Sequence, residues 1–333
     1  MPAATRRAFS DPAEFQDAIP SSDVRIIVTK PGPFRADLTA IQLHRLSLLE
    51  GSTSLPLVAR ASEIAGGSTI MFPTNARQNP LHAGGKGLLP GSIGQPSLGA
   101  ENYLRTSGEC RFGVMHLPTE ALSAASLTLC GRDLSAPAMT RLVTPCAEAM
   151  KRLMRLRSAI SRFAFAAPDT DARPEVAKAI EHALIETMVA CLDASDAEPV
   201  NDNPRHDAVM RRFERALDAH EGEPLYLLDL CSEIGISDRA LRRYCEERIG
   251  MGPRRYLWLR RMHLARRALA LADPDKASVT EVATANGFGE LGRFSVQYRT
   301  LFGESPSQTL RRPPDVALVT ARAASLWGSD GRK

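Results

Sequence analysis

Cysteine and long apolar runs are scarce in this chain of 333 residues. Its six cysteines include no C-x-x-C pair, which argues against a disulfide framework or a structural zinc site and favours buried free thiols. No stretch approaches the roughly 18 uncharged apolar residues that a membrane span needs. The N-terminus meets proline and acidic residues before any signal-peptide core. We therefore expect a cytoplasmic protein with no membrane partner.

The composition is that of a folded protein, with 44% hydrophobic and 24% charged residues, and this excludes a wholly disordered or collagen-like chain. The length favours two domains over one. Charge is unevenly placed. The formal net charge is +4, yet residues 237–312 alone contain fifteen Lys and Arg against eight Asp and Glu. A basic C-terminal part points to a polyanionic partner.

Residues 24–134 are predicted to be β-rich. Short apolar or alternating runs are separated by Gly, Pro and Asn clusters, a pattern typical of a small sandwich or barrel. These runs are Val24–Thr29, Ala40–Leu49, Gly67–Phe72 and Cys110–Leu117. Gly84–Gly99 is predicted to be a surface loop, because no helix follows it where a phosphate-binding loop needs one.

Residues 138–192 have helical periodicity and predict two amphipathic helices joined by Ala167–Pro174. The helices are expected either to form an oligomer interface or to pack on the sandwich; the sequence leaves both open. The polar, acidic segment that follows predicts a linker over 193–207, and residues 208–312 then form a helical domain, with a tail at 313–333.

The helical domain repeats itself. Three positions of the first copy recur 52 residues later, and four more recur 53 residues later. Each copy is predicted to consist of a helix, a turn with glycine followed by an apolar residue, a second helix, and a Gly-x-x-Pro segment that ends it. The pairs are Leu230/Val282, Cys231/Ala283, Gly235/Gly287, Leu241/Phe294, Cys245/Tyr298, Gly250/Gly303 and Pro253/Pro306. A glycine between two short helices permits the sharp turn of a helix-turn-helix. One copy alone would favour a plain helical hairpin used for packing.

The second helix of the first copy is typical either of a helix that reads DNA or of a solvated helix face. At about 100° per residue, Leu241 and Cys245 share one face, and Arg239, Arg242 and Arg243 share the opposite one with Glu246. Arginine supplies the bidentate fork that recognises guanine in the major groove. Residues 253–272 predict a connecting helix about 30 Å long, close to the 34 Å of one DNA turn.

Nine short segments within Glu223–Arg312 carry a family resemblance. They are Leu230–Ser237, Ala240–Arg243, Gly250–Pro253, Tyr256–Leu257, Arg261–Ala265, Val279–Ala283, Asn286–Phe288, Arg293–Ser295 and Phe302–Pro306. With this set the region resembles the DNA-binding domain of AraC/XylS-type transcriptional regulators. The resemblance implies a sequence-specific regulator of transcription without enzymatic activity or cofactor. It implies a cupin-like N-terminal regulatory domain over residues 1–192 that binds a small-molecule effector. It also implies a homodimer that contacts promoter DNA and RNA polymerase. The fold class expected is α+β, with a β-sandwich or barrel followed by an all-α domain with two helix-turn-helix motifs.

The resemblance also assigns residues. Base readout falls to Arg239, Arg242 and Arg243 in the first unit and to Leu291, Gly292, Ser295 and Val296 in the second; phosphate contacts fall to Ser237, Arg293 and Arg299. The family often has arginine where this chain has Val296. We therefore expect the first unit to dominate sequence reading and the second to position the protein on phosphates.

Other functions are weighed against this one. A metal-dependent cupin-type enzyme needs clustered ligands, whereas His44, His82 and His116 are isolated and no H-x-H occurs. An alkyl-accepting repair protein needs an activated cysteine cluster, which the scattered Cys110, Cys130 and Cys146 do not supply. A non-DNA-binding interaction adaptor would not need the arginine face. No metal site is predicted.

Overall fold

The computed structural model describes residues 3–20, 24–62, 67–97, 101–135, 137, 139–166, 174–193, 197–199, 204–221 and 226–312. The N-terminal elements are β1 (Ala3–Phe9), α1 (Pro12–Ala18), β2 (Val24–Val28), β3 (Ala36–Gln42), β4 (Ser47–Thr53), β5 (Leu57–Ser62), β6 (Gly67–Pro73), β7 (Leu81–Ala83), β8 (Lys86–Leu88), β9 (Ile93–Gln95), β10 (Glu101–Arg105), β11 (Cys110–Pro118), α2 (Thr119–Cys130), β12 (Arg141–Val143), α3 (Ala147–Ala166), α4 (Pro174–Leu192) and β13 (Ala197–Pro199). The C-terminal elements are α5 (Pro204–Ala219), α6 (Leu227–Ile234), α7 (Asp238–Arg248), α8 (Pro253–Leu271), α9 (Val279–Ala285), α10 (Leu291–Phe302) and α11 (Pro306–Leu310).

The strands form two sheets that face each other. The larger sheet has the order β1-β3-β4-β11-β6-β9-β12-β13, and the smaller one has the order β2-β5-β10-β7-β8. Alternate residues of each strand point to opposite faces, so apolar residues such as Ile26 and Phe112 meet between the sheets. The α+β fold class and the two-sheet N-terminal architecture expected from the sequence are confirmed.

Both sheets are also covered on their outer faces. Helices α2, α3 and α4 pack on the outer face of the larger sheet, with Leu153 and Met188 in that core. The C-terminal helices pack on the outer face of the smaller sheet, where Ile27, Val58 and Tyr103 join their core. The molecule is therefore layered, and the smaller sheet separates the sandwich interior from the C-terminal domain.

Two predictions for the N-terminal half are wrong. Ala40–Leu49 is not one run but parts of β3 and β4, which pair around a turn with Ile41 opposite Leu48. Gly84–Gly99 is not simply a surface loop, because it contains β8 and β9, and Ile93 and Gln95 are fully buried. Helix α2 lies inside the region expected to be β-rich.

The predicted domain limits remain predictions. The segment 193–207 contains β13, which pairs with β12, and the first residues of α5. The tail at 313–333 and the joining segment 167–173 lie outside the described residues.

The C-terminal domain contains the two predicted helix-turn-helix units, α6–α7 and α9–α10, joined by α8. Their turns match in detail: Gly235 and Gly287 have φ of +70° and +78°. The next residue in each unit bonds back to the fifth residue before it, Ile236 N–H to Cys231 and Phe288 N–H to Ala283, both at 3.0 Å. This 6→1 bond and the left-handed glycine end the first helix and start the turn. Helix α8, at 19 residues, is about 28 Å long.

The two units pack on one apolar core. Leu230, Ile234, Leu241, Phe294 and Tyr298 are buried. Ile236, Tyr244, Val282 and Phe288 are partly buried and pack against the same core.

Candidate nucleic-acid interface

Helix α7 presents its arginines to solvent. Ser237 Oγ accepts a hydrogen bond from Ala240 N–H at 3.3 Å and so caps the start of the helix. Leu241 and Cys245 on the inner face are fully buried, which fixes the rotation of the helix. Arg239, Arg242 and Arg243 are consequently exposed.

The three arginines differ in their partners. Arg242 lies 3.9 Å from the Asp238 carboxylate, and Arg243 lies 3.9 Å from Glu247. Arg243 also stacks on the Tyr244 ring, with its guanidinium carbon 5.0 Å from the ring centre. Among the described residues, Arg239 has no ion pair. The guanidinium of Arg239 is therefore held least by its own helix.

Helix α10 presents a different surface. Gly292 and Val296 are exposed, and Val296 retains 67% of its accessible area. Leu291 and Ser295 are half-buried, and Leu291 packs against the core. An apolar side chain and a glycine offer no hydrogen bond to a base edge. Val296 can contact a thymine methyl group, but neither Gly292 nor Val296 can form the bidentate pair that arginine makes with guanine.

The polar residues that flank these faces lie on the surface. Ser237, Arg293 and Arg299 are all exposed. Every residue that the sequence assigns to DNA therefore lies at least partly on the surface. Sequence reasoning missed Arg254 and Arg261 on α8, although their helical spacing from Trp258 was available as a signal.

A buried polar cluster joins this domain to the smaller sheet. Glu214 of α5 has no exposed area. Its Oε1 accepts hydrogen bonds from Tyr103 and Tyr256 at 2.8 and 2.9 Å. Its Oε2 lies 3.4 Å from Arg260 and 3.6 Å from Arg60. Burial raises the pKa of Glu214, and the two arginines oppose that rise.

Asp218, one turn further along α5, extends the cluster. It accepts bonds from Arg260 at 2.6 Å and from Arg25 and Arg60 at 3.1 Å. Burial opposes its ionisation, but these guanidinium groups lower the pKa of Asp218. Strands β2 and β5 thus supply arginines to carboxylates of α5, so the two halves of the chain share their charges.

Helix α8 has a second set of bonds to the N-terminal half. Arg266 donates to Asp11 at 2.6 Å and Arg267 to Asp17 at 2.8 Å. His263 lies 3.0 Å from Val28 N on the open edge of β2. Burial lowers the pKa of His263 to about 4, so the ring is neutral at pH 7. One face of α8 is therefore covered by the N-terminal half.

A cavity of about 240 Å³ lies between the two sheets. Its wall is mainly apolar, with residues such as Ile26, Ala59 and Leu104, and the described residues that line it include no Lys, Arg, Asp or Glu. At one side Thr69 Oγ1 lies 3.1 Å from His116 Nδ1. Burial lowers the pKa of His116. The cavity suits an uncharged, largely apolar molecule with a polar group.

The structure does not gather the candidate enzyme residues. Among the described residues, no three His, Cys, Asp or Glu side chains are placed to hold a metal ion. Burial raises the pKa of Cys110, which makes it a poorer nucleophile. No helix in the described ranges has the length and apolarity needed to cross a bilayer.

Two exposed second helices, carried on one connecting helix and backed by a β-sandwich, define a double helix-turn-helix protein with an added N-terminal domain. Comparisons with known proteins agree. Residues 230–312 match a family model described as a helix-turn-helix domain. The chain is 37% identical over 111 residues to the probable thc operon regulatory protein of Rhodococcus erythropolis, covering 33% of each chain. It is 32% identical over 133 residues to XylDLEGF operon transcriptional activator 2 of Pseudomonas putida, covering 40% of this chain and 81% of that one.

The chain belongs to the AraC/XylS-type family of transcriptional regulators. The match spans about a third of the length of the first of these relatives. Among solved structures, the AraC-like transcriptional activator CuxR aligns over 86% of this chain and 100% of its own, with 17% identity and a TM-score of 0.43. A probable AraC family regulator from Rhodopseudomonas palustris aligns over 32% of this chain and 98% of its own, with 30% identity and a TM-score of 0.28. Both scores are low, and the assignment rests on the sequence matches.

Proposed function

We propose that the protein is a sequence-specific DNA-binding regulator of transcription that inserts α7 and α10 into two successive major grooves. One observation carries the proposal: both second helices present their outer faces to solvent, while the N-terminal half covers the opposite side of the connecting helix α8. The N-terminal half therefore leaves the outer face of each second helix open to DNA. The basic balance of residues 237–312 supports a polyanionic partner.

Selection of sites from random duplexes with the full chain tests this function. We expect a strongly preferred sequence block read by α7 and a weaker one read by α10 about one helical turn away, because the units are joined by a helix about 28 Å long. An Arg239→Ala variant should lose the preference in one block only. Recovery of no sequence preference, or of a single block, would contradict the proposal.

The base and phosphate contacts belong to this proposal. Arg239, Arg242 and Arg243 read bases in one groove, and Leu291, Gly292, Ser295 and Val296 line the other. Ser237, Arg293 and Arg299 contact phosphates. Their exposure supports these roles.

We further propose that a small effector occupies the cavity between the sheets and acts through the smaller sheet. In β5, Ala59 and Ala61 line the cavity, and Arg60 between them lies 3.6 Å from Glu214. In β10, Tyr103 lines the cavity and also donates to Glu214. The alternation of a β-strand thus places the cavity and the buried cluster on opposite faces of one layer. An occupant that moves this layer changes how the DNA-binding domain is held.

An alcohol and a carboxylate with carbon chains of equal length test which ligands the cavity accepts. 1-Octanol should raise the melting temperature of the protein, and octanoate should not, because no lining cation pairs with a carboxylate. Ala59→Leu narrows the cavity and should abolish the shift, whereas Ala124→Leu, on α2, should keep it. Equal shifts with octanol and octanoate would contradict an uncharged ligand.

The coupling route has its own test. Tyr103→Phe removes one hydrogen bond to Glu214 and keeps the aromatic ring where residue 103 lines the cavity. We expect this variant to bind the probe as the parent does and to lose the change in DNA affinity that the probe causes. A retained response would exclude this route.

The oligomeric state, the partner proteins and the cellular location are also proposed. We propose a cytoplasmic homodimer that acts by binding, without catalysing a reaction, and that contacts RNA polymerase at its promoters. Exposed Leu127 and Leu129 on α2 support a contact between copies, and the relatives named as transcriptional activators support a contact with the polymerase. Sedimentation of the purified chain, alone and on its selected site, measures the stoichiometry.

A further inference from the structure

A groove of about 600 Å³ separates the two helix-turn-helix units. Tyr226 and Leu228 at the start of α6 form one wall, and Arg293 of α10 lies on the other. Arg254, Trp258 and Arg261 of α8 form its floor. We name this space the inter-unit groove. Neither reading face includes its floor.

The inter-unit groove lies on the side of the molecule that DNA must approach. At about 100° per residue, Arg254, Trp258 and Arg261 fall within roughly 60° of one another around α8, and His263 falls on the opposite side. His263 contacts β2, so the floor of the groove faces away from the N-terminal half. A duplex that enters both units spans this space.

The charge of the groove suits an anion. Three arginines line it against one acidic residue, Glu290. Arg254 and Arg293 are exposed and, among the described residues, have no ion pair. Burial lowers the pKa of Arg261, a cost that a bound phosphate would offset. Trp258 Nε1 donates to Gln297 Oε1 at 3.2 Å, which ties the floor to one wall.

The rim of the groove is apolar. Tyr226 and Leu228 keep 68% and 73% of their accessible area, an unusual exposure for such side chains. An apolar rim above a cationic floor matches a sugar–phosphate strand, whose deoxyribose carbons are apolar and whose phosphates are charged. It matches less well a free phosphate, which has no apolar part.

We propose that the inter-unit groove binds the sugar–phosphate backbone of the DNA between the two segments that α7 and α10 read. Arg254 and Arg261 contact the phosphates, and Tyr226 and Leu228 lie against the sugars. The inference rests on the proposed DNA-binding function and adds a third contact region to it. Such contacts strengthen binding without reading sequence.

The test uses an Arg254→Gln/Arg261→Gln double variant of the full chain, with Arg152→Gln/Arg155→Gln as the control. The control removes the same charge from exposed positions of α3, on the far side of the sandwich. Binding to the selected site is measured from 50 to 300 mM KCl. Each phosphate contact contributes about 0.9 to the slope of log affinity against log salt, so we expect the groove variant to lose about 1.8 and the control none. At 0.15 M salt this corresponds to roughly thirtyfold weaker binding.

Two further measurements separate the outcomes. The affinity ratio between matched and mismatched sites should stay unchanged in the groove variant. Ethylation of phosphates between the two sequence blocks should weaken binding by the parent but not by the variant. Melting temperatures of all proteins confirm that the variants fold.

Failure of the inference is distinguishable from failure of the function. If the parent shows no salt-dependent site-specific binding, the proposed function itself fails. If the parent binds and the groove variant keeps the same affinity and slope, the inference is overturned. If that variant also loses activation by purified RNA polymerase, the groove binds a protein instead of DNA.

Discussion

The two helix-turn-helix units share a fold and differ in chemistry. Both turn at a left-handed glycine and both bury an aromatic or aliphatic inner face, but α7 presents three arginines where α10 presents Gly292 and Val296. The charges beside them also differ. On α8, Arg260 pairs with the fully buried carboxylate of Glu214 in α5, the helix that precedes the first unit. Arg266 of the same helix pairs with Asp11 and with Glu304, which follows α10. Equivalent folds thus need not have equivalent roles.

The largest expected difference is between the stability effects of removing Glu214 and of removing Glu304. Glu214→Ala leaves Arg60 and Arg260 buried without their shared carboxylate, and we expect it to lower the free energy of unfolding by about 3–5 kcal/mol. Glu304→Ala should cost only about 1–2 kcal/mol, because Arg266 keeps Asp11. Urea unfolding of the full chain measures both. Glu214→Gln is the control, since it retains an oxygen that both tyrosines can donate to. If Glu214→Ala and Glu304→Ala lowered the free energy of unfolding equally, the two carboxylates would not differ in their contribution to stability.

The next contrast is in sequence discrimination. Arg242→Ala should reduce the preference for matched over mismatched sites by about 1–3 kcal/mol at its own positions. Val296→Ala should reduce it by less than about 1 kcal/mol, because only an apolar contact is lost. Binding to a panel of single-mismatch duplexes at one salt concentration measures both. A greater loss from Val296→Ala would reverse our assignment of the dominant reader.

The smallest effect is a pH dependence at the connecting helix. The pKa of His263 is about 4 in the folded chain and about 6.5 when unfolded, so the unfolded chain binds the proton between these values. Stability is therefore lost as pH falls below about 6.5, by about 1.4 kcal/mol at pH 5.5. Unfolding at pH 7 and pH 5.5 should show this loss in the parent and a smaller one in His263→Gln. Equal losses would show that other groups cause it.

The fold of the C-terminal domain could be predicted because its signals are local. The turns at Gly235 and Gly287 need a glycine in place, and the periodicity of Leu241 and Cys245 sets the buried face. The β3–β4 turn was missed for the opposite reason. His44 and Arg45 carry no turn signal, and the carboxylate of Glu181 in α4 holds the turn by accepting Arg45 N–H at 2.7 Å. A turn stabilised from 136 residues away leaves no local pattern.

In the candidate site, too, some features have local sequence signals and others depend on residues far apart in the chain. The exposed arginines of α7 follow from helical spacing, so their surface position was predictable. The cluster around Glu214 was not, because Arg25 and Arg60 meet Asp218 across more than 150 residues of chain. The cavity was equally hidden, since its wall combines residues from both sheets.

The shared charges between β5 and α5 have a consequence for anyone who builds hybrid regulators. A C-terminal half grafted onto a foreign sensor would bring Glu214 and Asp218 without the arginines and the tyrosine that accompany them here. Each half of such a hybrid would fold, but the carboxylates of α5 would lack their partners at the surface where the halves meet. Transplanting the outward residues of the smaller sheet together with the reader would restore the match, so the natural cutting point for such hybrids runs through the sandwich and not through the acidic segment after α4.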